Sequence, residues 1–217
     1  MPAAGTRTTT PKRRVPRQER SRRRVEGILD AAARLVVERG VDALTTRDIA
    51  AAADAPVASL YQYFADKEDV LLALAQRDMA EMDTQVAADL AEVEVLSVAS
   101  LVRTTMTAYV AVYRRRPAFV EIYLRGRTNA AVHQFGREHN ARTATMLLDF
   151  AQGAGLADPG LGLDVAVLAV EVGDRVFQLA YEHDVAGDQR LVEEGIAMVT
   201  AYLERYATPA GLEGVRQ

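Results

Sequence analysis

The sequence contains no cysteine, so disulfide frameworks, thiolate metal sites and a cysteine nucleophile are excluded. It has only three histidines, at positions 133, 139 and 183. Neither an HExxH pattern nor a glycine-rich phosphate loop is present. Long hydrophobic runs are missing as well. No apolar run exceeds that of Val165 to Val170, far below the ~20 residues that cross a bilayer. The arginine-rich N-terminus has no apolar stretch behind it and does not read as a secretory signal. No segment shows strict alternation or Asn-Gly turn chemistry, so nothing speaks for a sheet. The expectation is a cytoplasmic protein with no membrane partner, no cofactor and no metal site.

What is present fits an ordinary globular chain. The 217 residues are 49% hydrophobic and 26% charged, enough for one domain or a small domain joined to a larger one. The net charge of −4 speaks, taken as an average, against nucleic acid as a partner. Its distribution reverses that inference. Residues 1–24 hold nine basic residues, among them Lys12, Arg13, Arg14, Arg17, Arg20 and Arg22 to Arg24, against the single acid Glu19. The segment through Lys67 nets +5, which leaves −9 for residues 68–217. Residues 1–21, with Pro2, Pro11 and Pro16 and little to bury, read as a flexible basic arm for phosphates or a minor groove. A merely solubilising tail is the alternative.

From Val25 onward the pattern is helical. Val25, Ile28, Leu29, Ala32, Leu35 and Val36 recur with the i, i+3, i+4, i+7 spacing of an amphipathic helix, and Gly40 suits its C-cap. Thr45 is placed to cap a second helix over about 46–53, with Ile49 and Ala50 inward. Asp54-Ala55-Pro56 breaks it, Pro56 opens a third helix to about Phe64, and Asp66 caps a fourth from Lys67. Five more helices are expected, over about 95–115, 117–126, 128–153, 160–184 and 188–207, with Thr128 and Asp188 as caps. The fold class is all-α, with about nine helices.

Three short helices within residues 25–64, the last two joined by a tight break, form a helix-turn-helix arrangement. Leu60 and Phe64 share a face and can pack on Ile49, Leu35 and Leu29. Ala58, Ser59, Tyr61 and Gln62 then point outward, as a helix entering a major groove requires.

Gly40, Thr45-Thr46-Arg47-Asp48-Ile49-Ala50, Leu60-Tyr61-Gln62-Tyr63-Phe64 and Asp66-Lys67-Glu68 closely resemble the TetR family of bacterial transcriptional regulators. The resemblance covers residues 22–82 in detail. It implies a helix-turn-helix DNA-binding domain over 22–82, with the motif at 45–64, and a domain over 83–217 that dimerises and binds an effector. The DNA-binding positions it implies are Thr45, Thr46, Arg47, Val57, Ala58, Ser59, Tyr61, Gln62, Tyr63 and Lys67. Chemistry supports several of them. Thr46 can give a hydroxyl and a helix-start N–H to a phosphate, and Arg47 can reach a phosphate or a guanine edge. Val57 and Ala58 can read only thymine methyls or shape, whereas Gln62 suits adenine. The hydroxyls of Tyr61 and Tyr63 suit phosphates or sugars, and Lys67 joins an ammonium to a helix N-terminus. Other readings stay open at three positions: Tyr61 as packing, Gln62 as a solvated amide, and Arg47 paired with Asp48 or Asp54. Asp54 stands where the family usually has glycine, and Tyr63 replaces a frequent histidine.

Helices 160–184 and 188–207 are apolar on nearly every side, more than one protomer can cover. A self-paired four-helix bundle would cover them, with Val165, Leu168, Val172, Val176, Met198 and Tyr202 as candidate interface residues. Gly173 and Gly195 allow close helix approach, and Glu171 with Arg175 is spaced for a salt bridge. The helices over 95–153 are expected to enclose the effector cavity. Met106, Tyr109, Tyr113, Phe119, Tyr123, Met146 and Phe150 are its candidate lining, with core packing as the alternative for each. His133 and His139, six apart, do not share a helix face and make no metal site. The sequence thus reads as no enzyme but a homodimeric repressor of a palindromic double-stranded DNA operator, released by a small, apolar effector. An architectural DNA binder relying on the arm is the alternative.

Overall fold

Helix α1 runs over Arg17–Arg39 and is stopped by Gly40. The φ of +80° at Gly40 is a left-handed conformation that glycine adopts without a Cβ clash. The computed structural model describes residues 17–126 and 129–216. The arm expected over 1–21 therefore lies outside the described residues up to residue 16, and its last five residues belong to α1. The basic run from Arg20 to Arg24 is helical, one continuous rod with the apolar stripe that follows.

Local capping sets the next three helices. The Thr45 hydroxyl accepts the Asp48 N–H at 3.2 Å and starts α2, Thr46–Ala52. After the Pro56 break, α3 spans only Val57–Leu60. The Tyr63 and Phe64 amides donate to the Leu60 carbonyl at 2.9 and 3.0 Å, so the expected longer helix ends in a tightened turn. Asp66 accepts the Asp69 N–H at 2.9 Å and caps α4, Lys67–Ala91. Ile28, Leu35, Ile49, Leu60 and Phe64 are buried together with Val70 and Leu74 of α4, so α4 belongs to the core of the N-terminal unit.

The second unit is built on α5 (Val98–Arg115), α7 (Ala130–Gly153), α8 (Leu163–Ala180) and α9 (Gln189–Leu203). Between α5 and α7, the short α6 (Pro117–Phe119) runs into a π-helical turn over Val120–Leu124. Asn129 caps α7, its side chain accepting the Val132 N–H at 3.0 Å; Thr128, the expected cap, lies outside the described residues. Asp188 caps α9 as expected. α8 packs between α7 and α9, and α4 leans on α1, α5 and α7. A Cβ on Gly195 would collide with Val176, which fixes the close crossing of α8 and α9 inside one protomer. A short 3₁₀ turn (Glu204–Tyr206) and α10 (Pro209–Glu213) follow.

The all-α class holds, with ten α-helices among the described residues. The departure is one antiparallel ladder that pairs β1 (Val95–Leu96) with β2 (Val215–Arg216). Two-residue strands are too short to show alternation in a sequence.

Candidate nucleic-acid interface and regulatory cavity

The outward side of α2 and α3 is polar and largely unengaged. Tyr61 is 54% exposed, and Arg47, Ala58 and Gln62 are exposed beside it. The Tyr61 hydroxyl lies 3.1 Å from that of Thr46, tying the end of the α3 turn to the start of α2. Arg47 has no hydrogen bond or ion pair among the described residues; Asp48 faces Arg39 instead, at 3.8 Å. The Thr45 hydroxyl makes reciprocal contacts with Asp48 and organises the helix start, while the residue itself is exposed. Val57 is half-buried against the core and Ser59 is half-buried. The Tyr63 hydroxyl accepts from Ser21 at 3.2 Å, which fastens the N-terminal turns of α1 to this surface. Lys67 is half-buried, its ammonium 3.5 Å from the Val41 carbonyl.

Sequence reasoning missed the groove beside these residues. Arg20, Arg23 and Arg24 of α1 border the same depression as Asp54, Gln62 and Tyr63. Positive charge thus reaches the helix-turn-helix face as part of a helix. Asp54, between α2 and α3, has a φ of +49°, the one positive value at a non-glycine residue among the described residues.

The cavity of the second unit lies among α5, α7, α8 and α9, with a volume of about 120 Å³. Met106 and Tyr109 line it; the other five expected residues do not. Tyr113, Phe119 and Tyr123 are buried beside it in an aromatic cluster, where Tyr113 stacks on Phe119 at 5.8 Å and meets Phe177 edge-on at 5.2 Å. Met146 and Phe150 are 42% and 37% exposed, on the outer side of α7. Helical periodicity gives a stripe, but not which of two neighbouring sides of α7 meets the core.

Three polar atoms of the cavity wall region stand out. The hydroxyls of Thr105, Tyr109 and Thr143 are buried and make no hydrogen bond, a state that costs about 1–3 kcal/mol for each group left without water or partner. Burial pushes the Tyr109 phenol up to about 12, against a smaller opposing effect of the Thr143 side chain. Asp174 also lines the cavity and accepts from Tyr123 and Gln178 at 3.1 and 2.8 Å, both on Oδ2. Desolvation dominates these hydrogen bonds and raises its carboxyl to about 6. The expected Glu171–Arg175 ion pair does not form: Arg175 donates to Gln178 at 2.9 Å, and Glu171 accepts from Asn140 at 3.3 Å. Gly173 lines the cavity, and a Cβ added there would meet nothing within 4 Å, so it is not a point of close helix approach.

A charged junction joins the two units. Arg77 of α4 reaches Asp30 at 2.8 Å and Glu26 at 3.3 Å on α1, and its neighbour Asp78 at 3.2 Å. Arg116, at the end of α5, lies 2.7 Å from Glu81 and 3.6 Å from Asp78. Asp78 is 1% exposed, and burial raises its carboxyl despite Arg77 and Arg116. No sequence signal marked this cluster, because its members lie on three helices far apart in the chain.

On the outer sides of α8 and α9, Leu168 and Met198 are each 51% exposed, and Leu179 is exposed too. Val165, Val172 and Tyr202 are half-buried. Val176 is buried against Gly195 and is not available to a partner. Among the described residues no helix is long and apolar enough to cross a membrane, and no His, Asp and Glu cluster is placed to hold a metal.

A capped helix-turn-helix surface, joined by one long helix to a helical unit with an internal cavity, defines a DNA-binding protein with an appended second domain. Family comparison gives the particular class. The model described as bacterial regulatory proteins, tetR family, matches residues 28–74, and that of the tetracyclin repressor-like C-terminal domain matches residues 97–203. The chain belongs to the TetR family and is a DNA-binding transcriptional regulator rather than an enzyme. A TetR-family regulator from Streptomyces coelicolor is 33% identical, with a TM-score of 0.69 over 84% of this chain and 99% of that one. A TetR-family regulator described as putative, from Syntrophomonas wolfei, shares the fold at 16% identity and TM-score 0.68, over 83% and 94% of the two chains. SmeT, the repressor of a Stenotrophomonas maltophilia multidrug efflux pump, does so at 20% and 0.62, over 87% and 92%. No curated protein sequence matches this chain significantly.

Proposed function

We propose that the protein is a homodimeric repressor that leaves a palindromic operator when a small, mostly apolar effector fills the cavity. The course of α4 carries this reading. One helix starts at the helix-turn-helix surface, packs on α1, and leans on α5 and α7, whose inner faces line the cavity. Dimer half-sites lie about 34–36 Å apart, so a small tilt of α4 in each protomer takes the two α3 helices out of register.

In this reading Thr46, Tyr61 and Lys67 hold phosphates, and Arg47 meets a phosphate or a guanine edge. Gln62 reads adenine, with Ala58 and Ser59 next to the bases. Thr45, Val57 and Tyr63 support that surface: as a cap, a core contact, and a tie to α1. Arg20, Arg23 and Arg24 extend the phosphate path. Leu168, Leu179 and Met198, with Val165, Val172 and Tyr202 at their margins, form the dimer contact. The site of action is the cytoplasm. Footprinting upstream of the protein's own gene tests the reading. A protected inverted repeat, lost on adding effector, supports it; a folded dimer that protects no repeat sinks it.

A further inference from the structure

The cavity also says what chemical class it takes, an inference that rests on the effector reading above. The apolar wall comes from residues such as Leu101, Met106, Leu147 and Phe177. Against it stand Thr105, Tyr109 and Thr143, whose buried hydroxyls form no hydrogen bond of normal geometry, although those of Tyr109 and Thr143 influence each other. No lysine, arginine or histidine lines the space; the ionisable groups on its wall are Tyr109 and Asp174, with Glu171 also acting on Asp174. A buried anion would meet only acidic neighbours here, without a cation to offset its desolvation. A hydroxyl or carbonyl, by contrast, can both give to and take from serviceable partners, because each threonine or tyrosine hydroxyl donates and accepts. The bonds that Asp174 accepts from Tyr123 and Gln178 both fall on Oδ2, and the three hydroxyls are the buried wall groups with no bonded partner at all. The volume of about 120 Å³ is close to that of a dry cavity that takes benzene.

We propose that the effector is a compact uncharged molecule, of single-ring size, with one hydroxyl or carbonyl head bound by Thr105, Tyr109 and Thr143. The head restores the missing hydrogen bonds and the ring fills the apolar end.

Calorimetric titration of the full chain with phenol, benzene, benzoate and benzylamine tests this without DNA. Phenol is expected to bind about tenfold or more tightly than benzene, the effect of one buried hydrogen bond. Benzoate and benzylamine are expected to bind more weakly than phenol. In the triple variant Thr105→Val, Thr143→Val, Tyr109→Phe, the ratio of phenol to benzene affinity should fall to about one. If that variant does not fold, Tyr109→Phe alone should reduce the advantage several-fold. Equal binding of phenol and benzene, preference for either charged probe, or no binding of any of the four overturns the proposal. Because no operator is involved, a failure here leaves the footprint result standing, and an absent footprint leaves the ranking of probes standing.

Discussion

Arg77 of α4 places its guanidinium 2.8 Å from Asp30 of α1 and 3.2 Å from the buried Asp78. One side chain thereby holds the DNA-binding unit against the helix that leads to the sensor and neutralises a carboxylate with 1% exposure. Arg77→Met should destabilise the protein by about 1–3 kcal/mol, since it leaves the buried Asp78 with Arg116 alone, 3.6 Å away. Adding Asp78→Asn should recover much of the loss. Urea unfolding of the wild type and both variants checks this; a single variant within about 0.5 kcal/mol of the wild type would contradict it.

Asp174 gives a stability change of known sign. Its folded pKa of about 6 lies above the unfolded value near 3.9. The folded state therefore binds the proton more tightly, and the associated stability, present below about pH 4, is lost as pH rises through 6. Asp174→Asn keeps acceptors for Tyr123 and Gln178 and should gain about 2–3 kcal/mol at pH 7.5. Thermal unfolding at pH 5 and 7.5 should show the gap between variant and wild type widening with pH.

The strained turn at Asp54 couples stability to DNA affinity. Its φ of +49° favours glycine, and its carboxylate borders the groove with Arg20, Arg23 and Gln62. Asp54→Gly should leave stability unchanged or raise it by up to about 1 kcal/mol, strain relief being offset by chain entropy. It should also tighten DNA binding by removing like charge from the phosphates. Melting curves and operator titrations at low salt read both effects.

Two substitutions separate anchoring from reading. Lys67→Ala should weaken binding to all DNA sequences by about 1–2 kcal/mol and reduce the salt slope by about one. Gln62→Ala should mainly relax preference at one base pair. A Gln62→Ala protein with unchanged sequence preference would remove Gln62 from the list of base readers.

The dimer contact has a direct test. Leu168→Glu with Met198→Glu introduces charges at two side chains that are each 51% exposed, so the isolated protomer should fold as before. Sedimentation should show a monomer, and operator binding should fall with the loss of the second half-site. A variant that stays dimeric places the interface elsewhere.

The helix-turn-helix was legible in the sequence because its signals are local. Gly40, Thr45 and Asp66 stop or start helices through contacts within four residues, and the alternation of buried and exposed positions around Leu60 follows from spacing. The cavity was legible only in part. Met106 and Tyr109 face it, but Met146 and Phe150, equally suited by chemistry, lie on the outer side of α7. Choosing between those sides depends on where α8 packs, and no residue within α7 encodes that. The missing helix turns of α1 show a different limit. Arginine-rich residues 20–24 offer little to bury, yet they continue a helix already nucleated by the stripe beginning at Val25.

The small ladder between Val95–Leu96 and Val215–Arg216 brings the residues just before α5 and just after α10 to the same spot. The ladder does not make the second unit a free cassette, because α4 lies along α5 and α7 and its Glu81 holds Arg116. Residues 67–216, with α4 included, are therefore the piece whose graft behind a relative's helix-turn-helix should move ligand response from one operator to another.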